Sequence, residues 1–132
     1  MKRLLATLAL AMTAHAEPID VPRMVEAIIR VEGGDWRHLG GAGNMTISAW
    51  NDRRPDIAFT LSLNEPYARE VYADHVRWII SALPKYHLKV TPANIYLAWW
   101  KGCSGARDTL RNGPMPDKGG NCRNVYESLA KP

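Results

Sequence analysis

Cysteine is scarce in this chain, with only Cys103 and Cys122 among 132 residues, and no CxxC pair occurs. That excludes a thiolate zinc ribbon, and His15, His38, His75 and His87 show no metal-ligand spacing, so no metal or other cofactor is expected. Runs of Lys and Arg are also missing beyond the N-terminus, which argues against a nucleic-acid footprint. No long apolar run follows the first dozen residues, which argues against a stable membrane insertion. Strand signals are few, and neither an internal repeat nor a low-complexity stretch is present. What remains is one small domain built mainly from helices.

The first sixteen residues read as an export signal. Lys2 and Arg3 form a positive start, Leu4 to Met12 a short apolar core, and Ala14-His15-Ala16 an A-x-A cleavage site. A membrane anchor would need about 18 or more apolar residues, roughly twice this run. Cleavage after Ala16 would leave residues 17–132 as the mature domain, secreted or periplasmic. Removing Lys2 and Arg3 from the 17 basic residues leaves 15 against 13 acidic ones, a formal charge of +2. That mild excess favours an anionic polymer such as a bacterial wall. A monomer is expected. In an oxidising compartment, Cys103 and Cys122 on either side of a Gly-, Pro- and Asn-rich segment read as a structural disulfide. Closing a loop of about 20 residues contributes on the order of 3 kcal/mol.

Along the mature chain, Asp20 is a candidate N-cap with Pro22 in the first turn. Val21, Val25, Ile28 and Ile29 then recur at helical spacing up to Val31-Glu32-Gly33-Gly34. Glu32 follows Ile28 by four residues and Val25 by seven, so it shares the apolar side and points towards the core or a cleft. A charge at that helix end opposes the macrodipole, and partial burial disfavours it further; both favour the protonated form that a general acid needs. The same residues also fit a solvated end-of-helix glutamate with Gly33 in the left-handed cap position.

Gly40, Gly41 and Gly43 exclude a regular helix and imply a turn or short hairpin whose backbone lies close to something. A short helix capped by Thr46 and passing Trp50 and Asp52 is favoured over a strand. Ser62 and Asn64 are alternative caps for a long helix that carries Ala68, Val71, Tyr72, His75, Val76, Ile79, Ile80 and Leu83 on one face and ends before Pro84. His75 on that face reads as a satisfied core or boundary histidine. Thr91-Pro92 starts a further helix, with Gly102 as its stop, carrying Ile95, Tyr96, Ala98, Trp99 and Trp100. Its aromatic density places at least one ring at a cleft or leaves one edge of a core helix exposed. Val125, Tyr126 and Leu129 suggest a last short helix. The fold class is mainly α (α+β), a small helical domain with a Gly-rich turn or short hairpin.

The order of parts resembles the lysozyme-like superfamily. The stretches that carry this are Ala27-Ile28-Ile29-Arg30-Val31-Glu32-Gly33-Gly34, Gly41-Ala42-Gly43-Asn44-Met45-Thr46 and Leu97-Ala98-Trp99-Trp100-Lys101-Gly102. Soluble lytic transglycosylases and goose-type lysozymes are closest in layout, with A-I-I-x-x-E-S-G, G-x-x-G-x-M-Q and A-Y-N-A-G stretches. The Glu-Gly-Gly step and Ala68-Arg69-Glu70-Val71-Tyr72 are similar to phage endolysins of the same broad fold. The resemblance covers residues 21 to 102 and implies a small lysozyme-like domain that cleaves peptidoglycan glycan strands. Glu32 would be the catalytic acid. Thr46 falls near the motif glutamine, and Trp99 and Trp100 near the Tyr-Asn pair; with Trp50 and Tyr96 they would form the substrate-binding set. Trp36 is a further ring that could stack on sugars.

Those replacements leave a second reading open, a non-catalytic wall-binding or scaffolding module on the same frame. A third is a secreted helical protein unrelated to sugars. The first two place Glu32, Thr46 and the Trp99 helix around one groove. Asp35, Asp52 and Asp56 are candidates for a second carboxylate, and each also fits a surface or cap role.

Overall fold

A computed structural model describes residues 18–113. The expected signal segment, Glu17, Cys122 and the suggested helix around Val125 lie outside the described residues. Among the described residues the fold is mainly helical, with four helices and no strand. No helix among them is long and apolar enough to cross a membrane. They are α1 (Val21–Glu32), α2 (Ile47–Arg53), α3 (Glu65–Ala82) and α4 (Pro92–Asn112), with 3₁₀ turns at Phe59–Leu63 and Leu83–Tyr86.

Local chemistry sets the helix starts. The side chains of Asp20, Thr46, Asn64 and Thr91 accept from the backbone N–H three residues on, at Arg23, Ala49, Tyr67 and Asn94. Each satisfies one of the donors that a helix N-terminus leaves open. Asn64, not Ser62, therefore caps α3. Ser62 is fully buried and its Oγ accepts from Gly40 N–H at 2.7 Å. At the other end of α1, Gly33 adopts the left-handed conformation (φ 58°) and returns its N–H to Ile29 O.

Helix α3 is the central column. It packs against α1, α2, α4 and both 3₁₀ turns. Its inner face of Ala68, Val71, Tyr72, His75, Val76, Ile79 and Ala82 meets Met24 and Ile28 of α1, Trp50 of α2, and Ile95, Tyr96 and Leu97 of α4 in one core. Polar ties run along its flanks: Arg69 pairs with Glu26 of α1, and Arg54 donates to Asp56, Glu70 and Asp74.

Of the two forms expected for the glycine stretch, it takes that of turns, in succession. Two expectations need correction. Gly102 (φ 75°, ψ 164°) does break the helical path of α4, but the chain resumes helix at once through Asn112. The segment after Cys103 is thus helical for a further three turns, where a loop was expected. Trp50 is the second. It is wholly buried, with its indole N–H on Ile57 O at 2.7 Å and its ring edge-on to Phe59, so it belongs to the core and offers nothing to a substrate.

Candidate active site

Glu32 is the last residue of α1 and is half-buried. Two side chains converge on its carboxylate from different elements. Tyr96 Oη, on α4, donates to Oε1 at 2.8 Å, and Asn44 Nδ2, at the end of the glycine turn, donates to Oε2 at 3.1 Å. Neutral donors to both oxygens fix the plane of the carboxyl group.

The glycine turn that presents Asn44 is held from behind by Tyr72. The Tyr72 hydroxyl donates to Gly40 O and accepts from Gly43 N–H at 3.1 Å. Burial pushes that phenol up to about 12, so it stays a donor throughout the physiological range. The approach leaves no room for side chains. A Cβ on Gly41 would stand 2.4 Å from Tyr72 Oη, and one on Gly43 2.8 Å from the Tyr72 ring. Gly34 is as crowded, 2.5 Å from Ala42 O, and its N–H donates to that same carbonyl at 3.1 Å. The end of α1 and the glycine turn are therefore one rigid unit, with Asn44 itself in the left-handed region (φ 51°).

On the far side, Trp99 closes the unit. Its indole N–H donates to Gly43 O at 3.0 Å, and its ring packs edge-on against Tyr72 and tilted against His75. A pocket of about 330 Å³ opens beyond it, lined by Thr46, Ala49, Asp52, Arg53, His75, Trp78, Trp99, Trp100, Lys101 and Cys103 among others. Glu32 is not part of this lining; its partner Tyr96 precedes the lining residues Trp99 and Trp100 on α4 by three and four positions.

The structure thus brings Glu32, the glycine turn and the Trp99 helix together by direct hydrogen bonds. Thr46, Trp99 and Trp100 share the adjoining pocket, although the Thr46 hydroxyl is already engaged as the cap of α2. Tyr96 is not a substrate-contacting residue, because it is wholly buried and its hydroxyl faces Glu32. Trp36 stacks against Tyr72 and packs against the core. Of the carboxylate candidates, Asp35 is clamped by Arg37 at 2.7 Å and Asp56 by Arg54 at 2.9 Å; those hydrogen bonds hold both below the ordinary aspartate value. Asp52 lines the pocket and makes no ion pair among the described residues.

Two residues gain a role that the sequence pattern did not disclose. Tyr72 occupies an ordinary core position of α3, and nothing in its spacing signals that its hydroxyl organises a turn about thirty residues earlier. His75 is buried as expected but not satisfied, for its Nδ1 has no hydrogen-bond partner. Cys103 is a buried free thiol whose ionisation is opposed by burial, and its expected partner Cys122 lies outside the described residues. No group of His, Cys, Asp and Glu able to hold a metal ion occurs among the described residues. Comparison with protein-family models, curated proteins and solved structures finds no match to this chain.

Proposed function

We propose that this chain is a secreted or periplasmic glycosidase acting on the β-1,4 link between N-acetylmuramic acid and N-acetylglucosamine in peptidoglycan. The observation that carries the reading is the Glu32 carboxyl group, placed at a helix end beside a rigid glycine turn and oriented by Tyr96 and Asn44. The substrate class comes from the resemblance in the order of motifs to lytic transglycosylases and goose-type lysozymes.

In this mechanism Glu32 gives its proton to the glycosidic oxygen as the C1–O bond breaks, leaving oxocarbenium character at C1. The carboxylate so formed then takes the proton of the muramic 6-hydroxyl as that oxygen closes on C1. The product is a 1,6-anhydro end, and Glu32 returns to its starting state. A single acid fits the engagement of Asp35 and Asp56 by arginines, which leaves neither poised as a nucleophile. Asp52 is the remaining candidate, and its participation through water would give a hydrolysed end instead.

A second reading, a non-catalytic wall-binding module, is favoured by one observation: Thr46 stands where the family carries glutamine, and its hydroxyl is engaged in capping. Digestion of purified sacculi separates the two. Wild type is expected to release soluble muropeptides, with anhydro ends identified by mass, and Glu32→Gln to reduce release by about a thousandfold, the order expected for losing an essential acid. Co-sedimentation with sacculi without release supports the binding module. Equal release by both proteins removes Glu32 from the mechanism.

A further inference from the structure

Charge along this chain is unevenly placed. Nine of the ten acidic side chains of residues 18–113 stand between Asp20 and Asp74, with Asp108 alone beyond them, whereas Arg77, Lys85, Lys89, Lys101, Arg107 and Arg111 all follow Asp74. The fold keeps that separation in space. Glu65, Glu70 and Asp74 occupy the first ten residues of α3, and Lys85 comes three residues after its end, in the 3₁₀ turn Leu83–Tyr86. At the rise of these helices Asp74 and Lys85 are roughly 15 to 20 Å apart along the axis, beyond the screening length of about 8 Å at physiological salt. Those carboxylates are moreover engaged by Arg54, Arg69 and Arg77, so they do not neutralise the far end of the column.

At that far end two stretches meet. Lys85 and Lys89 are exposed on the way from α3 to α4, and the Arg107 guanidinium of α4 lies 5.5 Å from the centre of the Tyr86 ring between them. Arg111 follows Arg107 by one helical turn and is exposed. Against these four cations Asp108, paired with Arg107, is the one carboxylate among the described residues of this face, and Lys85, Lys89 and Arg111 make no ion pair among those residues. Apolar groups interleave with the cations. Pro84 and Val90 are exposed, Val90 to 36 %, while Tyr86 and Leu88 are half-buried and pack against the core. The stretch is also held in place, for Leu88 N–H donates to Leu83 O and Asn94 Nδ2 to Lys89 O at 2.8 Å. A soluble polyanion needs only the cations; aliphatic groups set among them suit a surface whose anionic groups lie over hydrocarbon.

We propose that this face docks peripherally on a lipid surface bearing anionic phosphate headgroups, with Lys85, Lys89, Arg107 and Arg111 among the phosphates and Val90 at the level where hydrocarbon begins. The carboxylates of the first half of α3 then face away from the surface, which orients the molecule on it. Docking here requires nothing of Glu32 and stands apart from the glycosidase reading.

The test is co-sedimentation with lipid vesicles of residues 17–132, the expected mature chain, which holds the whole described core and leaves out the apolar Leu4–Met12 run. Vesicles of phosphatidylcholine with about a third phosphatidylglycerol are expected to bind it at least about tenfold more tightly than phosphatidylcholine alone, and about 1 M salt to release it. Lys85→Gln and Lys89→Gln, checked for folding by circular dichroism, are each expected to weaken binding by about fivefold. Arg37→Gln removes the same charge from the glycine turn and is expected to change binding by less than about twofold. Val90→Ser is expected to weaken vesicle binding by about two- to fivefold and to leave binding of soluble inorganic polyphosphate unchanged. Equal binding to the two vesicles, equal losses for Lys85→Gln and Arg37→Gln, or no binding overturns the proposal. A Val90→Ser variant that binds vesicles like wild type assigns the face to phosphate charge alone and overturns the lipid assignment. Association without vesicles that Lys85→Gln abolishes assigns it to the acidic end of a second copy, and overturns it likewise.

Discussion

Tyr96 can influence a reaction only through Glu32, because its ring is enclosed and its hydroxyl ends on the carboxylate. It is a positioning residue. Tyr96→Phe keeps the ring and removes one donor, so a stability loss of about 1 kcal/mol is expected. Release from sacculi should fall by about tenfold with co-sedimentation unchanged, and a Phe variant with wild-type release would show that the Tyr96 hydroxyl does not orient the acid. His75 yields a second prediction, in pH. Its ordinary value is near 6.5 and its folded value about 4, so the unfolded chain takes up the proton first. Its contribution to stability is full above about pH 6.5 and is lost progressively as pH falls towards 4, amounting to on the order of 3 kcal/mol. His75→Phe keeps a ring against Trp78 and Trp99 but cannot titrate. Thermal unfolding of the variant is expected to depend less on pH between 6.5 and 4 than that of wild type, and parallel curves would show that His75 is not the group concerned.

The glycine turn is the element on which the geometry at Glu32 depends, and two glycines with similar backbone test why. Gly33 and Gly41 both have positive φ, 58° and 69°, but a Cβ at Gly33 meets nothing within 4 Å whereas one at Gly41 strikes Tyr72 and Ser62. Gly33→Ala is expected to cost about 1 to 2 kcal/mol from backbone strain alone. Gly41→Ala adds overpacking of about 1 to 3 kcal/mol and should separate the turn from Tyr72, which urea unfolding and the indole N–H shift of Trp99 would detect. The glycine density announces a close backbone approach, but not the partner, because Tyr72 and Ser62 are brought there by tertiary packing. Helix starts are different. Asp20, Thr46 and Thr91 cap neighbours three residues away, so these boundaries can be read locally. Gly102 lies between the two cases: its left-handed φ marks a break, while only the packing of Cys103 and Ala106 into the core shows that helix resumes beyond it.

At the scale of the molecule, the apolar stripe of α3 is legible because helical periodicity is a property of the chain itself, and it identifies the helix around which the others gather. The same stripe conceals what is particular about His75. Whether a histidine on an apolar face is enclosed by hydrocarbon or borders a pocket depends on where α2 and α4 settle, which no local pattern contains. Glu32 is legible as a residue turned inward at a helix end; its contact with Tyr96 is not, since 64 residues separate them. Because α3 touches every other helix, the site and the core are one cooperative structure. Ile79, wholly buried on the inner face of α3, tests this. Ile79→Ala is expected to cost about 2 to 5 kcal/mol through lost burial and the cavity left behind. Unfolding followed by far-ultraviolet circular dichroism, which reports all the helices, and by the Trp99 indole N–H signal, which reports the site, should shift to the same lower denaturant midpoint. Loss of the Trp99 signal well before the helices melt would mean that the glycine turn and Glu32 detach from an intact core, and that the acid is held by local contacts instead of by the central helix.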